Sequence, residues 1–124
     1  MSRGRLLLVD DEADIRAIAT IALERIGGWE VVAAASGGEA LERAADGPWA
    51  AVLLDVMMPD LDGPSTLEAL RAGPLGPEVP VVFLTAKVQA TDRAWLEGLG
   101  AQGVIAKPFD PMTLGDDVGR LVGR

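Results

Sequence analysis

Asp10, Asp11, Asp55, Thr85 and Lys107 are dispersed along the chain, yet each closes or directly follows a short apolar run. Leu6–Val9 stops at Asp10 and Asp11, and Ala50–Leu54 stops at Asp55. Val81–Leu84 stops at Thr85, and Gly103–Ala106 stops at Lys107 and Pro108. Gathered in one place, three carboxylates repel one another, so they need protonation or a divalent cation. Mg²⁺ suits such a set, because it takes a few carboxylate oxygens, keeps its waters and is completed by phosphate. A lysine across the site would stabilise a transferred phosphoryl oxygen, and a threonine hydroxyl can donate a hydrogen bond to another. One acid would then act as nucleophile, as in aspartyl-phosphate chemistry. Asp55 is the candidate, because it stands alone on a central strand between the acid pair and the threonine.

The elements that must position these groups are legible in the same runs. Four or five consecutive apolar residues read as strands buried on both faces, as in a parallel sheet covered by helices. Parallel strands all end at one edge, so the polar residues that terminate them converge. Between the strands lie helical patterns. Ile15, Ile18, Ala19, Ala22 and Ile26 recur at helix spacing before Gly27 and Gly28. Trp29 to Ala34 reads as a second strand. Ser36 with Glu39 forms a capping-box signature for a helix to about Ala45. Pro64 suits the first turn of a third helix with Leu67 and Leu70 inward. A fourth runs from about Thr91 to Leu99, and Asp110 caps a fifth with Pro111 at its first position. Five strands alternating with five helices predict a doubly wound α/β fold, flavodoxin-like, with strand order 2-1-3-4-5. That order puts the ends of the first and third strands at the switch point where ligands bind.

Composition narrows the chemistry. A chain of 124 residues is the size of one domain, and its net charge of −8 argues against a nucleic-acid surface. With no Cys and no His, disulfides, Cys/His zinc sites and imidazole-dependent triads are excluded. Any metal must be a hard cation held by oxygen. No apolar run reaches membrane-spanning length, and the amino-terminal run is too short for a signal peptide, so a cytoplasmic location is expected. Of eleven basic residues only Lys87 and Lys107 are lysines. A chain so tolerant of arginine keeps a lysine where a compact ammonium is needed, which points again to Lys107.

Val9-Asp10-Asp11-Glu12, the stretch from Asp55 through Met57, Met58 and Pro59 to Gly63, Leu84-Thr85-Ala86, and Lys107-Pro108-Phe109 resemble the receiver domain of bacterial two-component response regulators. The resemblance covers residues 1–124 and implies phosphorylation of Asp55 by a histidine kinase or phosphotransfer protein. It further implies Mg²⁺ held by Asp11, Asp55 and the backbone carbonyl of Met57, with Asp10 acting through water. Thr85 and Lys107 would serve the phosphoryl group, and the Lys107–Pro108 bond would be cis. The expected partners are that donor and a downstream protein target, with no nucleic acid or membrane bound, and the chain is expected to be a monomer or weak homodimer. The remaining length leaves no room for an output domain, so a stand-alone regulator or a fragment is expected.

The chain also departs from the family pattern. Val104 stands three residues before the lysine, where receivers usually carry Tyr or Phe, and a β-branched side chain has few rotamers and little reach. Read-out is therefore expected through the loop at Ala86 to Gln89. Met57 and Lys87 flank the mouth of the site, and neither can orient an attacking water. Two other functions compete. An Mg²⁺-dependent aspartyl-phosphate phosphatase would want an acid where Met57 stands, and a receiver that never takes phosphate would not need the intact acid set. Gly115, Gly119 and Gly123 form a stripe on the last helix, read here as compositional drift rather than close approach of a partner.

Overall fold

The computed structural model describes residues 2–86 and 89–124. Five parallel strands, β1 (Arg5–Val9), β2 (Glu30–Ala34), β3 (Ala51–Asp55), β4 (Val81–Thr85) and β5 (Gly103–Ala106), form one sheet in the order β2-β1-β3-β4-β5. The register pairs Val9 with Leu54, Asp55 with Leu84 and Thr85 with Ala106, so the strands end level with one another. Helices α1 (Ala13–Ile21), α2 (Gly37–Ala44), α3 (Gly63–Ala72), α4 (Ala90–Gly98) and α5 (Leu114–Val122) complete the alternation. Every residue of β3 and β4 is buried, because helices cover both faces. Leu7, Val9, Val52, Leu54, Phe83 and Val104 share one core layer with residues of α2, α3 and α4. Leu6, Leu8, Leu53, Val82 and Leu84 share the other with α1 and α5. Among the described residues no helix is long and apolar enough to cross a membrane.

The helix starts are set by side chains. Ser36 Oγ accepts from the Glu39 N–H at 3.0 Å, satisfying an orphan donor of α2, and Glu39 Oε1 accepts from the N–H of Ala35, just before the cap, at 2.6 Å. Asp62 caps α3 by accepting from Ser65 N–H at 2.8 Å. Asp110 does not cap α5 directly. Its carboxylate accepts from Met112 N–H at 2.9 Å and starts a turn, and the regular helix begins at Leu114.

The first helix differs from expectation in the face it buries. Ala19, Ala22 and Leu23 are the buried stripe, while Ile18 and Ile26 are each 47% exposed. For Ile26 the cause is a single π turn over Ala22–Ile26, closed by Gly27 N–H donating to Ala22 O at 2.9 Å. The extra residue in that turn rotates Ile26 off the buried side. Ile18 precedes that turn and lies outside the stripe that Ala19, Ala22 and Leu23 bury.

Drift toward glycine is the wrong reading of Gly115. A Cβ added there would lie 2.5 Å from Gly27 Cα, so the last helix crosses the end of the first backbone against backbone. Trp29 Nε1 and Arg3 Nη1 both donate to the Gly115 carbonyl, at 3.1 and 2.7 Å. The close approach is within the chain itself. Nearby, at the edge of the sheet where the strands begin, Arg3 lies over the Trp29 ring at 6.0 Å and Arg5 over Trp49 at 4.6 Å.

Gly115→Ala should therefore lower unfolding stability by about 1–3 kcal/mol, the range for overpacking, despite alanine's better helix propensity. Gly98→Ala, where an added Cβ meets nothing within 4 Å, should instead be neutral or gain up to about 1 kcal/mol. Urea unfolding of the two variants checks the contrast.

Candidate functional site

At the edge where the strands end, β1 delivers Asp10, β3 ends in Asp55, β4 ends in Thr85, and Lys107 follows β5. Because β1 and β3 are neighbours and their following helices lie on opposite faces, a cleft opens between their ends. Asp10 is held in place by its own N–H donating to Ala34 O at 3.1 Å. Its Oδ1 accepts from Glu12 N–H at 2.9 Å, and Arg16 Nη1 donates to its carbonyl at 2.8 Å. The chain beyond Asp55 is pinned by Val56 N–H to Leu84 O at 3.1 Å and Gly63 N–H to Val56 O at 2.9 Å. Gly63 presses so closely on the strand end that a Cβ would meet Asp55 O at 2.5 Å, so the loop can return to its helix only through glycine.

One carboxylate oxygen from each of Asp10, Asp11 and Asp55 lies within 4.8 Å of the others. Asp10 and Asp55 are buried, whereas Asp11 is exposed. Lys107 Nζ stands 2.8 Å from Asp10 Oδ2, 3.2 Å from Asp55 Oδ1 and 3.6 Å from Glu12 Oε1. Met57 N–H makes a long bond of 3.4 Å to Asp55 Oδ1, and the Met57 side chain is exposed. Thr85 is buried one strand away from Asp55. The Lys107–Pro108 bond is cis. Lys87, and with it part of the loop from Ala86 to Gln89, lies outside the described residues.

The electrostatics are unbalanced. Two buried acids, Asp10 and Asp55, share one ammonium with exposed Glu12 at its margin. Burial pushes the Asp55 carboxyl up to about 6; the Asp10 charge adds to this, while Lys107 and the Met57 N–H oppose it. Burial alone would depress Lys107, but the adjoining Asp10 and Asp55 outweigh it and its net shift is upward. The Oδ2 atoms of both buried acids lack a hydrogen-bond partner among the described residues, Asp10 Oδ2 having only its ion-pair contact with Lys107. A buried acceptor without a donor is costly unless a positive or hydrogen-bonding group reaches it. The donors are all oxygen, which fits a hard divalent cation and not a soft one. Asp10, Asp11, Asp55, Thr85 and Lys107 are thus all brought to one edge. Sequence reasoning missed Arg16 and the reach of Glu12. Glu12 adjoins the acid pair and could have been counted with it, whereas nothing in the spacing of Arg16 distinguishes it from a solvated helix residue.

The pH dependence follows from Asp55. Between 3.8, its ordinary value, and about 6 the folded state holds a proton that the unfolded state has lost. Stability contributed through this group therefore falls as pH rises across that window and stays low above it. In metal-free buffer Asp55→Asn should be more stable than the native chain at pH 7, by about 1–3 kcal/mol. Urea unfolding at a series of pH values should show that gain shrinking toward pH 4.

Comparison with known proteins agrees with this geometry. The family model described as response regulator receiver domain matches residues 6–118. The probable transcriptional regulator ycf27 of Porphyridium aerugineum is 40% identical over 114 residues, covering 92% of this chain and 46% of that protein. The transcriptional regulatory protein PrrA of Mycobacterium bovis is 43% identical over 106 residues, covering 85% and 44%. The chain thus spans about half the length of the curated relatives it matches. Among solved structures, the chemotaxis protein CheY4 of Vibrio cholerae superimposes with a TM-score of 0.87 at 31% identity, covering 95% of this chain and 98% of that one. Because that family model spans residues 6–118, nearly the whole chain, the chain belongs to the family of response regulator receiver domains.

Proposed function

We propose that this chain is a phosphoacceptor switch of a two-component pathway, esterified on Asp55 by a histidine kinase or phosphotransfer protein, and that the modification alters the surface offered to a downstream protein. The observation that carries the reading is the buried Asp55 Oδ2, which has no hydrogen-bond partner among the described residues although Asp55 shares a pocket with Lys107. That oxygen is available to attack phosphorus. As the new P–O bond forms, the bond from phosphorus to the donor imidazole breaks, and the imidazole leaves with its electron pair and takes a proton from solvent. Lys107 already lies 3.2 Å from Asp55 Oδ1, so its ammonium can follow the charge onto a phosphoryl oxygen with little movement. The Thr85 hydroxyl, one strand over, donates to another. Asp11, Asp55 and the Met57 carbonyl would hold Mg²⁺, with Asp10 acting through water, and the bound cation would neutralise the acids and the phosphoryl oxygens together.

Receiver domains are in general signalling domains rather than enzymes. In this reading the only reactions the chain assists are its own esterification and hydrolysis. With no histidine in these 124 residues, the donor imidazole lies outside them. The same reading takes the whole chain, residues 1–124, as one receiver unit acting in the cytoplasm as a monomer or weak homodimer.

Incubation with acetyl phosphate and Mg²⁺ should add the mass of one phosphoryl group to the intact chain. The adduct should be absent in Asp55→Asn and in the presence of a chelator. An adduct that survives Asp55→Asn places the acceptor elsewhere and ends the proposal. Met57 offers no group to orient water, so loss of the phosphoryl group from the purified chain should be slow. Introducing a polar residue by Met57→Asn should quicken it, as measured by intact mass against time.

A further inference from the structure

In this chain the edge of the sheet beside the site is held by an arginine. Val104 is buried in the same core layer as Leu96 of α4 and Phe83 of β4, so its side chain is fixed and has no second position to adopt. Its carbonyl is on the outer strand of the sheet, and Arg93 Nη1 donates to it at 3.1 Å. Among the described residues Arg93 forms no ion pair with any acid, which leaves its guanidinium committed to that carbonyl. Arg93 lies in the first turn of α4, its N–H donating to Gln89 O at 3.0 Å. That helix begins at Ala90, five residues after Thr85 ends β4. A bond from a charged donor to a partly buried carbonyl is among the stronger hydrogen bonds, so the first turn of α4 and β5 move together while it holds.

We infer that Arg93 is a latch, which holds the first turn of α4 on β5 in the phosphoryl-free protein and releases it when Thr85 is drawn toward a phosphoryl group on Asp55. The inference rests on Asp55 being the acceptor. Because the bond belongs to one of two states, breaking it must shift the balance toward the other, and by linkage must tighten binding of whatever favours that other state. Arg93 touches neither the acids nor Lys107 and acts only through the position of α4.

Trp95 supplies a reporter on the same helix. It is 56% exposed, whereas Trp29 and Trp49 are 3% and 9% exposed at the opposite edge of the sheet, so acrylamide quenching reads chiefly Trp95. In the protein without phosphoryl group, Arg93→Ala should speed amide exchange in the first turn of α4 by about tenfold and leave α1 and α2 unchanged. Its affinity for beryllofluoride with Mg²⁺, followed by Trp95 quenching, should rise by about three- to tenfold, and Arg93→Lys should fall between the two. Exchange that is unchanged, or raised uniformly across the molecule, overturns the latch. So does an Arg93→Ala affinity equal to or weaker than the native one, even where local exchange rises, because the contact is then merely structural. Failure of the native chain to bind beryllofluoride, together with no phosphoryl adduct, sinks the acceptor reading instead, and the two failures are thereby told apart.

Discussion

The site is organised around one ammonium placed between two buried carboxylates. Lys107 within 3.2 Å of both Asp10 and Asp55 is what allows acids to be buried at the ends of adjacent strands at all. A single positive charge cannot satisfy two negative ones, so the pocket retains unmet demand for positive charge. That residual demand separates a working pocket from a finished structural ion pair. It leaves an oxygen of Asp55 unclaimed and keeps its carboxyl well above the ordinary range. A fully neutralised version would be more stable and chemically inert.

The sheet makes this arrangement possible without any local strain in the acids themselves. Strands buried on both faces need apolar residues along their whole length, and the first polar residue marks where the chain meets the edge. With β1 and β3 adjacent and their helices departing to opposite sides, the polar residues that end them cannot avoid one another. The positions of the clustered polar groups are thus a consequence of sheet geometry and not of loop conformation. The loops contribute refinements, such as Arg16 on the Asp10 carbonyl and Gly63 under the end of β3.

This is why so much was legible in the chain. A buried parallel strand has the strongest local signature available, an unbroken apolar run, and each such run names its own terminating residue. Ser36 with Glu39, and Pro64 with Leu67 and Leu70, were equally local and held in the structure. What escaped was set by contacts between distant segments. The exposure of Ile26 depends on a π turn that no spacing of side chains announces. The need for glycine at position 115 depends on Gly27, eighty-eight residues earlier, coming within contact of it. Arg93 is unremarkable in sequence, because its partner is a backbone carbonyl and any residue could supply one.

The placement of charge along the sheet axis has a consequence at long range. Around the end that holds Lys107, the segments leaving β1, β3 and β5 carry Asp10, Asp11, Glu12, Asp60, Asp62 and Asp110. At the other end Arg3 and Arg5 lie on their tryptophan rings, and each is paired with an acid, Asp116 and Glu30. Negative charge is therefore concentrated around the acid pocket, while at the opposite end arginines and acids offset one another. A visitor with a cationic face is turned into alignment before any surfaces meet, over a distance set by the Debye length, about 8 Å at physiological ionic strength.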